Sequence, residues 1–271
     1  MAMSILQAIV LGLLQGFTEF LPVSSSGHLV LVPWLLRWEI PSVTYDAVVH
    51  LGTLFAAIIY FRRDIVSLLG AWWQSLRQRK IETSQARLAW LLLLSTVPAL
   101  LAGYFLGIRI EPLFANAFVV SLFLLVTGIL VVIADIQGQK TRTVDGIGVR
   151  ESLIIGLAQA LAIAPGISRS GATISAGLFC GLQRSDAARF SFLLAIPIIA
   201  GAAALKLVDS APGLTASGLS LLGLGFVAAL LSAYVAIRLF LGYVRTHSLR
   251  PFAFYCWALG LLGVVLHFVR G

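Results

Sequence analysis

Two apolar stretches, residues 4–36 and 151–182, are each broken in the middle by a cluster of Pro, Gly and Ser: PVSSSGH at 22–28 and PGISRSG at 165–171. A spanning helix needs about 20 apolar residues, and each half of these stretches has only about a dozen. Pro and Gly interrupt a helix at such points. Irregular backbone at membrane depth persists only where protein or a wet cavity satisfies its polar groups. The pattern therefore predicts two re-entrant helix–loop–helix hairpins, with two kinked full spans each as the competing geometry.

The rest of the chain supplies the membrane. Only 11% of its residues are charged, against roughly 25% in a soluble domain. Runs of spanning length occur near 45–61, 88–108, 114–134, 186–206, 218–241 and 251–269. The expected fold class is an all-α polytopic membrane protein with six transmembrane helices plus the two hairpins. It forms a single integral membrane domain over 1–271.

The net charge is +8, but the cations sit in short loops between apolar runs. Arg62, Arg63, Arg77, Arg79, Lys80 and Arg87 lie in 62–87. Lys140, Arg142 and Arg150 lie in 135–150, and Arg245 and Arg250 in 242–250. These loops face the cytoplasm by the positive-inside rule. The 109–113 and 207–217 connections, with Arg109 and Lys206 balanced by Glu111 and Asp209, face outward. The basicity thus belongs to topology, and no nucleic-acid-binding motif accompanies it. Cys180 and Cys256 are too few for a disulfide scaffold and lack metal-site spacing. The N-terminus MAMSILQAIVLGLLQG has no basic n-region or small-residue cleavage site and reads as mature sequence.

The two broken segments match each other. At the offset of 144 residues that carries Gln15 onto Gln159, Gly12 meets Gly156, Ser24 meets Ser168, Ser26 meets Ser170 and Gly27 meets Gly171. Asp46-Ala47 and Asp186-Ala187 then recur at the start of the following spans. The unit is one hairpin plus three spans, repeat one being about 1–134 and repeat two about 150–271. Three is odd, so the second copy is inverted, and the hairpin tips can meet near the midplane, where inverted-repeat proteins place their sites.

Ionisable groups inside apolar segments default to function. Gln15 and Glu19 share a helix face at i,i+4 and can bind a cation or orient a water or hydroxyl. Ser24, Ser25, Ser26 and His28 follow within a few residues. A Gly/Ser turn offers N–H groups to an anion, and a following helix N-terminus adds to this. A serine nucleophile needs an adjacent base; His28 or Glu19 could serve, or His28 could protonate a leaving group. Arg169, between Ser168 and Ser170, matches phosphate oxygens with its fork of donors. Its anion is either Glu19 or a substrate phosphate. Asp46 and Asp186 read as helix caps, and His50 as a group that could line an outward cavity. GLLQG, GYFLG and GLFCG have the spacing of close helix contacts, which allows a homodimer.

QGFTE at 15–19, PVSSSGH at 22–28 and PGISRSG at 165–171 together resemble the undecaprenyl-pyrophosphate phosphatases of the bacitracin-resistance type. The resemblance implies an integral phosphatase of the bacterial cytoplasmic (inner) membrane, with its site facing the periplasmic side. It would convert undecaprenyl pyrophosphate to the monophosphate carrier used in cell-wall synthesis. It gives Glu19 the critical carboxylate, Ser25 the candidate nucleophile, His28 the histidine and Arg169 the phosphate-binding arginine, with Gln15, Ser24, Ser26, Ser168 and Ser170 lining the substrate. It also implies a divalent cation, Mg²⁺ or Ca²⁺, at Glu19 and Gln15, where Gln15 leaves one carboxylate fewer than a Glu would. The rival from another class is a lipid or anion transporter that uses the same pocket without cleavage.

Overall fold

A computed structural model describes residues 3–210 and 216–270. Among them the chain is helical throughout: α1 (Ile5–Phe20), α2 (Ser25–Leu36), α3 (Val43–Tyr60), α4 (Arg62–Gln78), α5 (Ser84–Ile110), α6 (Ala117–Gln137), α7 (Val149–Leu161), α8 (Arg169–Phe179), α9 (Arg184–Ser210), α10 (Ala216–Tyr243) and α11 (Arg250–Arg270). Six are long and apolar enough to cross a bilayer: α3, α5, α6, α9, α10 and α11. These are the six runs expected from the sequence. The 207–217 connection lies partly outside the described residues.

The two broken stretches become the helix pairs α1–α2 and α7–α8, each packed against its own partner. The loop 62–87 differs from expectation, because most of it is α4. Its apolar residues are diluted by Arg, Gln and Ser, so it falls short of a span and reads as loop to a hydropathy count. The expected Asp46 cap is also corrected. Ser42 caps α3, its side chain accepting from the Tyr45 N–H at 3.2 Å, and Asp46 sits in the first turn. A carboxylate there still complements the helix dipole. Asp186, in the first turn of α9, accepts from the Val144 N–H of a neighbouring loop at 3.2 Å.

Two helix contacts hold these pairs in place. α1 packs along α10, and α7 packs along α5. A Cβ on Gly12 would sit 2.5 Å from the Gly225 carbonyl oxygen, and one on Gly156 would sit 2.6 Å from that of Ser95. Backbones approach this closely only where a side chain is missing. Gly12 and Gly16 of GLLQG both face α10, so that motif serves packing within the chain. Ser95 and Ser152 bond across the α5–α7 contact at 2.7 Å.

One end of the bundle carries a charge cluster. The buried Asp135, at the end of α6, accepts from Arg184 Nε at 2.6 Å, and Lys140 Nζ and Arg250 Nε each stand 3.9 Å from its carboxylate. Burial, with the nearby Arg184 guanidinium, holds the Lys140 amine below the ordinary lysine value.

Candidate active site

Gln15 and Glu19 are buried in α1 on one helix face, and Gln15 Nε2 donates to Glu19 Oε2 at 2.8 Å. The chain then turns at Leu21–Ser24. Ser24 holds φ at 68°, a left-handed conformation that costs a serine on the order of 1–3 kcal/mol. Its hydroxyl caps α2 by accepting from the Gly27 N–H at 3.2 Å. This kink makes Ser25 the first residue of α2 and lets its hydroxyl donate to Glu19 Oε2.

The second break has the same local logic. Ser168 caps α8 by accepting from the Gly171 N–H at 3.0 Å, and Arg169 is the first residue of the helix. Arg169 Nη2 donates to Glu19 Oε1 at 2.9 Å, and Nη1 to the Ala195 carbonyl at 3.4 Å. A buried carboxylate is very costly without a partner. Glu19 has a cation on one oxygen and two donors on the other. His50 Nε2 stands 3.8 Å from Oε2, and His50 Nδ1 lies 2.7 Å from the Asp46 carbonyl oxygen.

The two tips touch. Ser170 Oγ donates to the Leu21 carbonyl at 2.7 Å, and the Gly166 N–H donates to Ser26 Oγ at 3.4 Å. Within each tip, Ser24 and Ser26 hydroxyls are 3.3 Å apart, and those of Ser168 and Ser170 are 3.1 Å apart. Thr127 on α6 fixes the second loop: it accepts from the Ser168 N–H and donates to the Gly166 carbonyl, both at 3.0 Å. At Gly166, φ is 96° and a Cβ would fall 2.4 Å from the Val120 carbonyl oxygen, so this turn admits only glycine. The first N–H groups of α2 and α8 have no helical carbonyl to bond. Two helix N-termini and a guanidinium therefore converge, an arrangement that favours a phosphate.

Gln15, Glu19, Ser25 and Arg169 thus form one cluster, with Ser24, Ser26, Ser168 and Ser170 as the turns that shape it. His28 is engaged elsewhere. Its Nδ1 lies 2.7 Å from the Ser24 carbonyl oxygen and its Nε2 lies 2.6 Å from the Tyr255 hydroxyl on α11. The imidazole beside Glu19 belongs to His50. Three residues outside the motifs therefore contact motif residues: His50 beside Glu19, Thr127 on the second loop and Tyr255 on His28. His50 carried a signal, an imidazole in an apolar run, whereas Thr127 and Tyr255 look like ordinary span residues.

The donor set also bears on a cation. Among the described residues no group of three or more His, Cys, Asp and Glu side chains is placed to hold a metal, so the protein alone offers no closed cage. Gln15 Oε1, however, is buried without a hydrogen-bond partner, on the side chain that bonds Glu19. One carboxylate and one amide oxygen fit a hard cation that takes its other ligands from phosphate oxygens and water, the habit of Mg²⁺.

The chain is similar over nearly its whole length to several known proteins. The family model described as bacitracin resistance protein BacA matches residues 8–262. The chain is 41% identical to the undecaprenyl-diphosphatase of Pelobacter propionicus, over 99% of this chain and 100% of that protein. It is 44% identical to that of Rubrobacter xylanophilus, over 97% and 98%, and 46% identical to that of Marinobacter nauticus, over 93% and 95%.

Proposed function

Because the chain belongs to the bacitracin resistance protein BacA family, we propose that it is a membrane phosphatase, which hydrolyses undecaprenyl pyrophosphate to undecaprenyl phosphate and phosphate in the bacterial cytoplasmic membrane. The observation that carries the reading is the meeting of Ser25, Glu19 and Arg169. A hydroxyl that already donates to a carboxylate is a primed nucleophile. A guanidinium on that carboxylate's other oxygen supports a role for Arg169 in binding phosphoryl oxygens.

The apolar tail lies among the spans and the pyrophosphate enters at the paired tips. Its terminal oxygens bind Arg169 and the free N–H groups of the first turns of α2 and α8. Ser25 Oγ attacks the terminal phosphorus and passes its proton to Glu19. The bond from that phosphorus to the bridging oxygen breaks, and undecaprenyl phosphate leaves. Water then attacks that phosphorus as its bond to Ser25 Oγ breaks; Glu19 returns its proton to Ser25 Oγ, the proton that the water gives up passes to the freed carboxylate or to His28, and phosphate is released. Glu19 and Gln15 would hold the divalent cation, which supplies charge neutralisation at the phosphates. Phosphoryl transfer asks chiefly for such positioning and charge stabilisation.

The architecture we infer is the inverted repeat, 1–134 and 150–271, with α1–α2 and α7–α8 as re-entrant hairpins. Its support is paired detail at the 144-residue offset. Gly12 meets α10 as Gly156 meets α5. Ser24 and Ser168 are both caps, and Ser26 and Ser170 each bond the opposite tip. We infer that the site opens on the outer face, a reading supported by the basic loops on the opposite side.

The test is phosphate release from undecaprenyl pyrophosphate by purified protein in detergent, where no transport can occur, with and without Mg²⁺ or Ca²⁺. Ser25→Ala, Glu19→Ala and Arg169→Ala are run beside the wild type. Release that all three substitutions abolish is the expected result. A wild type that releases none under either condition refutes the phosphatase reading and favours the transporter.

A further inference from the structure

The sequence RRDIVSLLGAWWQSLRQ of α4 divides into three faces. At 100° per residue, Ile65, Leu68, Trp72 and Ser75 share one side. They are buried or half-buried, with Ser75 Oγ accepting from Trp90 Nε1 of α5 at 3.0 Å. Asp64 pairs with Arg189 of α9, so the helix is fastened at both ends. Val66, Leu69, Trp73 and Leu76 form a second face, next to the first. They are exposed by 72%, 58%, 65% and 40%, although they are four of the seven large apolar residues of the helix. Arg63, Ser67, Gly70, Gln74 and Arg77 make the third face, which is exposed and polar.

A helix packed on a soluble protein needs two faces, one for the core and one for water. A third, apolar face needs a third medium. α4 is not long and apolar enough to cross a bilayer, yet it follows the span α3 directly and precedes the span α5, so it sits where those spans leave the membrane. Arg62 and Arg63 at its start, and Arg77, Arg79 and Lys80 at its end, are all exposed and bracket the apolar row. Apolar residues beside a cationic rim are the pattern of a helix lying in the headgroup layer of an acidic leaflet.

We propose that α4 is a membrane-surface helix that seats Val66, Leu69, Trp73 and Leu76 in an acidic phospholipid leaflet, with its arginines and Lys80 on the lipid phosphates. The contact is independent of the catalytic reading. Its role is to fix the depth of the α3–α5 connection, and through Arg189 that of α9, relative to the bilayer surface.

The experiment is nitroxide scanning of the full chain, with Cys180→Ser and Cys256→Ser, in vesicles of phosphatidylcholine alone or mixed with phosphatidylglycerol. Labels go singly at 66, 69, 73 and 76 and at 63, 67, 70 and 74. The first set should collide with oxygen and avoid a water-soluble nickel chelate, at a depth of about 5–10 Å below the phosphates, and the second set should do the reverse. Phosphatidylglycerol should lower nickel collisions at 73 and 76 several-fold, and the combined variant Arg77→Gln, Arg79→Gln, Lys80→Gln should abolish that gain. Equal nickel access at all eight positions overturns the proposal, since the helix then lies in water. Spin–spin broadening along the apolar row also overturns it, because a second copy then covers the face. Identical depth in both vesicles overturns the acidic-lipid assignment.

Discussion

His28 Nε2 lies 2.6 Å from the Tyr255 hydroxyl, and the two rings are parallel at a centroid distance of 5.5 Å. His28 Nδ1 faces the Ser24 carbonyl oxygen, which fixes that nitrogen as the N–H donor. Tyr255 is therefore the partner of Nε2, the one ring nitrogen not committed to the backbone. Tyr255→Phe keeps the ring stacking and removes that partner. A hydrogen bond of this kind contributes about 1–1.5 kcal/mol, so kcat should fall on the order of tenfold with little change in melting temperature. His28→Gln, and the double variant, complete the comparison by phosphate release. If Tyr255 acts through His28, Tyr255→Phe should cost nothing further in the His28→Gln background.

Arg169→Lys retains the charge and loses the planar fork. Loss of one aimed donor at a developing oxyanion costs roughly 10²–10³ in kcat. A drop of that size in phosphate release, with the variant still folded by size-exclusion chromatography, is the expected result. Near-normal turnover would remove Arg169 from the phosphate clamp.

Gly12 and Gly156 stand against different helices, and both have a carbonyl oxygen where a Cβ would go. Gly12→Ala and Gly156→Ala should each destabilise the protein by about 1–3 kcal/mol, the usual cost of overpacking. Gly223→Ala is the control: nothing lies within 4 Å of its added Cβ, and alanine is the better helix former. Thermal melts in detergent should separate the first two variants from the third.

Thr127→Val leaves the Ser168 N–H and the Gly166 carbonyl without their buried partner. Each orphaned group costs about 1–3 kcal/mol, and the PGISRSG loop should loosen around Arg169. The variant should lose both melting temperature and phosphate release, and Thr127→Ser, which keeps the hydroxyl, should restore most of each.

Lys140 loses its proton at a lower pH than an ordinary lysine, because burial and the Arg184 guanidinium both disfavour its charged form. The neutral amine is the reactive species, so its acylation should rise with pH earlier than that of a free lysine side chain. Mass spectrometry of the protein after brief acylation across a pH series reads this directly.

Much of this molecule was legible in the residues because bilayer physics leaves few choices. The six long helices follow from apolar run length, and the breaks at PVSSSGH and PGISRSG follow from Pro and Gly. The convergence of Gln15, Glu19, Ser25 and Arg169 was foreshadowed by the cost of burying a charge unpaired. α4 was hidden because its apolar residues serve two different faces, which spreads them among polar ones. Thr127 and Tyr255 were hidden for another reason. Each acts through one hydroxyl on an otherwise ordinary span, and only the tertiary fold shows which backbone or ring that hydroxyl meets. His28 shows the reverse: a motif residue whose nitrogens are both engaged away from the Glu19 carboxylate.

The ion pair between Glu19 and Arg169 joins residues 150 positions apart, and this sets a clock on synthesis. A ribosome adding roughly 5–20 residues per second takes on the order of 10–30 s to travel from one to the other. For that interval the nascent chain holds a carboxylate in an apolar segment without its guanidinium, an expensive state in lipid. The α1–α2 pair is therefore made long before the guanidinium that neutralises it, and its buried charge is balanced only once α8 has been synthesised.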